Sequence, residues 1–136
     1  MNDEAMVAAL EAVNAASPFN QLGRFRVAAA QAGAVTLAGA AGSELMNHAG
    51  ALHAGVQAAL IDTACGFAAG TVGGNVVTVQ MNVLFLSSAK GDRFEARARV
   101  TKAGRTQIFA EAQLLALRGG DEALVASGTA VLAKLG

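Results

Sequence analysis

Apolar and polar residues alternate strictly from residue 93 to residue 101: Phe94, Ala96, Ala98 and Val100 fall on one side, Arg93, Glu95, Arg97 and Arg99 on the other. A period of two marks a strand in a sheet with one buried and one wet face. Residues 78–83 alternate cleanly as well, and two further strands are predicted over 106–117 and 123–133. Lys102-Ala103-Gly104-Arg105 and Arg118-Gly119-Gly120-Asp121 supply the turns between the last three strands. Glycine accepts the positive φ that tight hairpins need. Near the start, Phe25, Val27 and Ala29, then Val35 and Leu37, alternate weakly around Gln31-Ala32-Gly33 and predict a hairpin.

The period lengthens in two places. Met6, Ala9, Leu10 and Val13 predict an amphipathic helix over residues 3–16, stopped by Ser17-Pro18. Val56, Leu60, Thr63, Ala64 and Phe67 predict a longer, alanine-rich helix from residue 54 to about 72, ended by Gly73-Gly74-Asn75. That helix has no wide charged face, so it is expected to be buried. The order is two strands, one buried helix, then four antiparallel strands. A curved antiparallel sheet wrapped around one long central helix satisfies it, an α+β fold. With no helices between the last four strands, a doubly wound parallel sheet is disfavoured. One domain is expected over 1–136, with the N-terminal helix in 1–17 and the body in 18–136.

Composition narrows the function. Of the 136 residues 54% are hydrophobic and 15% charged, which excludes a disordered chain. Ten basic residues balance ten acidic ones, so no basic face is available to displace counterions from a nucleic acid. With no Trp or Tyr and six Phe, base-stacking platforms are poorly supplied. A single cysteine, Cys65, excludes an intrachain disulfide framework and a multi-Cys zinc site. The start, Met1-Asn2-Asp3-Glu4, lacks the basic region of a signal peptide. Residues 49–74 carry His53, Gln57 and Asp62, which argues against a lipid-crossing segment. A soluble, cytoplasmic protein that buries part of its apolar area against a copy of itself is expected.

Candidate chemistry concentrates between Asn47 and Asp62. His53-Ala54-Gly55 opens the long helix, so the N–H groups of Ala54 and Gly55 are expected to point out of its N-terminus. Such donors, with the helix dipole behind them, favour a negative or polarised oxygen. Asp62 lies two turns further along, where a carboxylate in apolar surroundings needs a partner or water. Plainer roles exist for each residue. A lone helical Asp is usually solvated, His48 and His53 suit turns or caps, and Asn47 suits a turn. Cys65 reads as a small buried side chain. No His-x-x-x-His or Cys–His pair points to a metal, and Gly73-Gly74 lacks the Lys of a phosphate loop.

Asn47, His53-Ala54-Gly55, Asp62, then Thr78-Val79-Gln80-Met81-Asn82-Val83 and Ser87-Ser88-Ala89-Lys90-Gly91-Asp92, together resemble the hotdog-fold acyl-CoA thioesterases. The likeness is greatest to the branch of the phenylacetate-degradation thioesterase, which includes thioesterase superfamily member 2. It covers roughly residues 20–133. The resemblance implies a hydrolase that releases a free acid, of aryl or medium-chain type, from CoA without metal or cofactor. It implies a homodimer or homotetramer with each active site at a subunit interface. By the same matching, the Ala54 N–H beside Gly55 is the oxyanion donor, and Asp62, reaching across from a partner subunit, is the general base or the nucleophile. Asn47 would position water or the carboxylate, His53 would frame the helix entrance, and Thr78 would line the water site. Lys90 and Arg105, both in loops flanking strands, are the candidates for the CoA phosphates.

Two departures stand out. The family usually has His-Gly-Gly where this chain has His53-Ala54-Gly55, so a methyl group narrows the approach to the donor. One turn beyond the acid, where some branches carry Ser or Thr, this chain has Gly66. The rival readings are a non-catalytic acyl-CoA-binding or scaffold protein, for which Ala54 leaves room, and a hotdog dehydratase. A dehydratase would need a catalytic His paired with an acid on the helix, whose interior offers only Asp62.

Overall fold

The computed structural model describes all residues from Met1 to Gly136. Helix α1 spans Asp3–Ala15, with the Asn2 side chain accepting from the Ala5 amide at its N-cap. Ser17 then caps a five-residue helix, α2, over Pro18–Leu22. The sequence pattern predicts only a stop here. Proline both ends α1 and, at the first turn of a new helix, costs nothing because its missing N–H would have no partner there. Strands β1 (Arg26–Gln31) and β2 (Ala34–Ala40) form the expected hairpin, turning at Gly33 with φ +80. A 3-10 turn at Ser43–Leu45 leads through a loop into α3, Ala54–Gly73. Gly74 ends that helix with φ +75, a left-handed conformation that glycine adopts without a Cβ penalty. Four strands follow: β3 (Val76–Phe85), β4 (Arg93–Ala103), β5 (Gln107–Arg118) and β6 (Asp121–Lys134).

All six strands join in one antiparallel sheet of order β1-β2-β4-β5-β6-β3. The sheet wraps α3, and this is the hotdog arrangement. Leu60, Ile61, Ala64, Cys65, Ala68 and Ala69 of α3 are buried against Leu37, Phe94, Ala96, Ile108, Leu114 and Leu132 of the strands. The small helix side chains set a short helix-to-sheet distance. At Gly128 an added Cβ would stand 2.8 Å from the Ile61 side chain and 2.9 Å from the Asn82 carbonyl, so this close approach requires glycine.

The alternation on β4 is as expected, with Phe94, Ala96 and Ala98 buried and Arg93, Arg97 and Arg99 exposed. On β3 it is not clean. The register against β6 shifts between Thr78 and Gln80, leaving Val79 as an extra residue. Val76 and Thr78 therefore face inward before this bulge, Met81 and Val83 after it, while Val79 is 53% exposed. A second bulge, between Val27 and Ala29, exposes Ala29 and buries Ala30, reversing the expectation for Ala29.

Candidate functional site

The site begins in the loop before α3. Asn47 Oδ1 accepts from the amides of Ala49 and Ala51, at 2.9 and 3.1 Å, and the Asn47 amide donates to the Ala51 carbonyl. Asn47 is thus the turn residue that its type allows, and its side-chain NH2 is left to donate elsewhere. The loop is then pinned from both sides. The Leu52 amide donates to the Ala89 carbonyl in the loop after β3, and the His53 amide donates to the Leu45 carbonyl.

His53 is the N-cap of α3, and its Nδ1 accepts from the Gly55 amide at 2.8 Å. An imidazole that accepts at Nδ1 carries its proton at Nε2 when neutral. The cap also corrects one expectation: the Gly55 N–H is spent within the chain. Val56 and Gln57 donate to the His53 carbonyl, so Ala54 alone in the first turn keeps an N–H with no partner in the chain. Ala54 and Gly55 are both exposed.

Asp62 sits on α3 where the helix passes β3. It is half-buried, and its Oδ1 accepts from the Thr78 hydroxyl at 2.7 Å. The bulge at Val79 makes this bond possible by turning Thr78 inward. Ala58, Ala59 and Gly66 are the small residues one helical turn from Asp62. Cys65, one turn along, is fully buried, and burial first and the charges of Asp62 and Glu111 next push its thiol up to about 12. A thiol so protonated is no nucleophile near neutrality.

The two halves of the site do not meet within one chain. Asp62 lies eight positions along α3 from Ala54, about 12 Å along the axis at 1.5 Å per residue. Lys90 lies in the loop before β4 and Arg105 beyond its end, so the 11 residues of that strand, roughly 35 Å of extended chain, stand between them. They do not form one anion site in a single chain. Lys90 instead shares a recess of about 310 Å³ with Arg118, Gly50, Gly91 and Met46. Arg118 escaped the sequence reading because only the β4–β5 pairing, with Arg93 opposite Leu117, carries it there. Among these residues no group of three or more His, Cys, Asp or Glu is placed to hold a metal ion.

The Thioesterase superfamily profile matches residues 49–123, which take in the α3 N-terminus, Asp62 and Thr78. The chain belongs to the Thioesterase superfamily. A thioesterase family protein from Silicibacter pomeroyi is 35% identical, with a TM-score of 0.91 over 96% of this chain and 99% of that one. Zebra fish Thioesterase Superfamily Member 2, from the branch to which the sequence resemblance points, is 28% identical with a TM-score of 0.83, covering 98% of each chain. A Halobacterium salinarum protein named as a candidate esterase is 41% identical over 76 residues, 50% of this chain and 50% of that one. The chain thus spans about half the length of this curated relative. No helix of this superfamily member is long and apolar enough to cross a membrane.

Proposed function

We propose that this thioesterase-superfamily protein hydrolyses an acyl-CoA, of aryl or medium-chain type, to the free acid and CoA in a site shared by two subunits. The observation that carries the reading is the division of labour along α3. An amide with no partner stands at one end, and a carboxylate held by a hydroxyl stands about 12 Å away. A thioester carbonyl on the Ala54 N–H is out of reach of Asp62 in the same chain, whereas Asp62 of the partner subunit would complete the site. The uncharged edge strand β3, which carries Thr78 and exposes Val77, Val79, Leu84 and Phe85, supplies a surface for that partner.

The chemistry then follows. The Ala54 N–H, backed by the α3 dipole, stabilises the oxyanion as water adds to the carbonyl carbon; one such donor is worth about 3–4 kcal/mol. Asp62 takes the proton of that water, a contribution of roughly 10²–10⁴-fold. Thr78 fixes the carboxylate so that its second oxygen faces the water. Collapse of the tetrahedral intermediate breaks the C–S bond and expels the thiolate, which is protonated to CoA. Asn47 contributes through its side-chain NH2 and by shaping the loop, and His53 through its cap on Gly55.

A panel of aromatic and aliphatic acyl-CoA esters, assayed for free thiol, tests the activity. Thiol release from at least one class, by a protein that sediments as a dimer or tetramer, is the expected result. An active monomer would overturn the shared site, and no release from any ester would favour an acyl-CoA-binding scaffold.

A further inference from the structure

We infer that Gln57, a residue outside the candidate catalytic set, is the positioning residue that aims the Ala54 N–H; this rests on the proposed function above. Gln57 is 6% exposed and lies on the face of α3 turned toward the sheet, in a row with Leu60, Ile61 and Ala64. Its Nε2 donates to the Leu52 carbonyl at 2.9 Å. Its Oε1 has no hydrogen-bond partner in the chain, and it is the one buried side-chain oxygen or nitrogen in that state. A buried unpaired carbonyl is destabilising, and methionine or leucine would fill the same space without it. What the glutamine provides is therefore its single bond to Leu52.

That bond bears on the donor through two peptide planes. The plane joining Leu52 to His53 is held at both ends, its C=O by Gln57 Nε2 and its N–H by the Leu45 carbonyl. The next plane joins His53 to Ala54. Its C=O accepts from Val56 and Gln57, and its N–H is the free Ala54 donor. His53 connects the planes at φ −57 and ψ 137, so locking the first fixes the direction from which the helix starts. Without the Gln57 amide the Leu52 carbonyl can rotate, and the Ala54 N–H loses a fixed aim. Small misplacements of a transition-state donor cost rate more than binding.

Gln57→Met and Gln57→Leu, in the full-length protein, decide the matter through three readouts. Tm should change little, because the variants remove one unpaired buried oxygen, Gln57 Oε1, and leave another, the Leu52 carbonyl. Amide exchange at Leu52 and His53 should accelerate by about tenfold or more while strand amides keep their rates. kcat for the best acyl-CoA should fall by about tenfold or more with KM within about twofold. Unchanged exchange at Leu52 and His53 in a folded variant overturns the inference. So does accelerated exchange with wild-type kcat, or loss of the fold in both variants, which would make Gln57 a core residue only. If the wild-type protein cleaves no thioester, the proposed function fails, and the exchange rates still decide whether Gln57 fixes the loop.

Discussion

β1 and β3 are the two edges of one sheet, and the chain treats them oppositely. Along β1 lies α1. The Glu11 carboxylate accepts from the Val27 amide, and buried Asn14 donates to the Phe25 carbonyl at 2.6 Å while accepting from Asn20 at 3.0 Å. Polar groups of the helix thus satisfy backbone that an edge would leave to water. Nothing in the chain covers β3. Its ten residues, VVTVQMNVLF, include no charge and no proline, and Val77, Val79, Leu84 and Phe85 are 47–60% exposed. Edges that face water alone are usually blunted by charge, proline or a covering element. One edge is therefore finished within the chain, and the other has the character of a surface awaiting a partner. The unfinished edge also carries Thr78, so under the proposed shared site assembly and chemistry meet on one strand.

The largest effect is expected from spoiling the open edge. Val77→Lys together with Val79→Lys places two charges on side chains that already face solvent, so the fold should stand, with an unchanged far-ultraviolet spectrum. Two such edges brought together would repel, and the protein should scatter light as a monomer. A monomer keeps the Ala54 donor and Asp62 in separate halves, so turnover should fall by roughly 10⁴-fold, the upper end of what a general base supplies. A double variant that remains dimeric removes β3 from the interface.

Asp62→Asn sharpens the same comparison by leaving the edge intact and removing the chemistry. Asparagine keeps the size and an acceptor for Thr78, but it cannot take a proton from water. kcat should drop by at least roughly 10²-fold with KM little changed and the oligomer intact. Retention of most of kcat in a purified dimer would sink the carboxylate mechanism and advance the scaffold reading.

At the closed edge the effect moves from activity to stability. Asn14→Ala leaves the Phe25 carbonyl and the Asn20 side-chain NH2 without their partner, a cost of about 1–3 kcal/mol for the buried group. Denaturant unfolding should register that loss, while oligomeric state and kcat of the folded protein stay the same. A change of oligomeric state would mean that both edges assemble.

The contrast between the edges also explains what the sequence could reveal. The two long helices, α1 and α3, the strand order along the chain and the wet face of β4 follow from periodicity, because each depends on residues near in sequence. Asp62 and Ala54 stand out for a related reason, since a carboxylate and small residues are conspicuous on an apolar helix. The bulges were not legible. Thr78-Val79-Gln80-Met81-Asn82-Val83 reads as an unbroken alternation, yet one extra residue at Val79 turns Thr78 to the helix and Val79 to solvent. A bulge is decided by the register against β6, which lies some fifty residues away. The partner of the His53 cap is equally hidden. A histidine before a helix fits a cap or an entrance, and only its Nδ1 geometry shows that the Gly55 amide is consumed. Gln57 looked like one polar residue arguing against a membrane span; its unpaired oxygen exists only in the folded core.

The smallest effect belongs to the strands between the edges, which serve as the control for both. On the wet face Arg97 donates to Glu122 at 2.7 Å and to Glu95 at 2.9 Å, the one basic residue in the molecule paired with two carboxylates. The Arg97 bonds draw the Glu122 carboxyl below its usual range, yet the pair stands in solvent. Water and salt screen such charges, and ordering two long side chains offsets most of the attraction. Arg97→Ala should therefore shift Tm by less than about 3 °C at neutral pH. The sign with pH is fixed by the lowered carboxyl. Its contribution is complete above the ordinary glutamate range and fades as pH falls through the lower folded value, so wild type and variant should converge in acid. They should converge in high salt as well. A large Tm difference that survives both treatments would place this face in a buried contact between subunits, and β3 would no longer be the one surface in need of a partner.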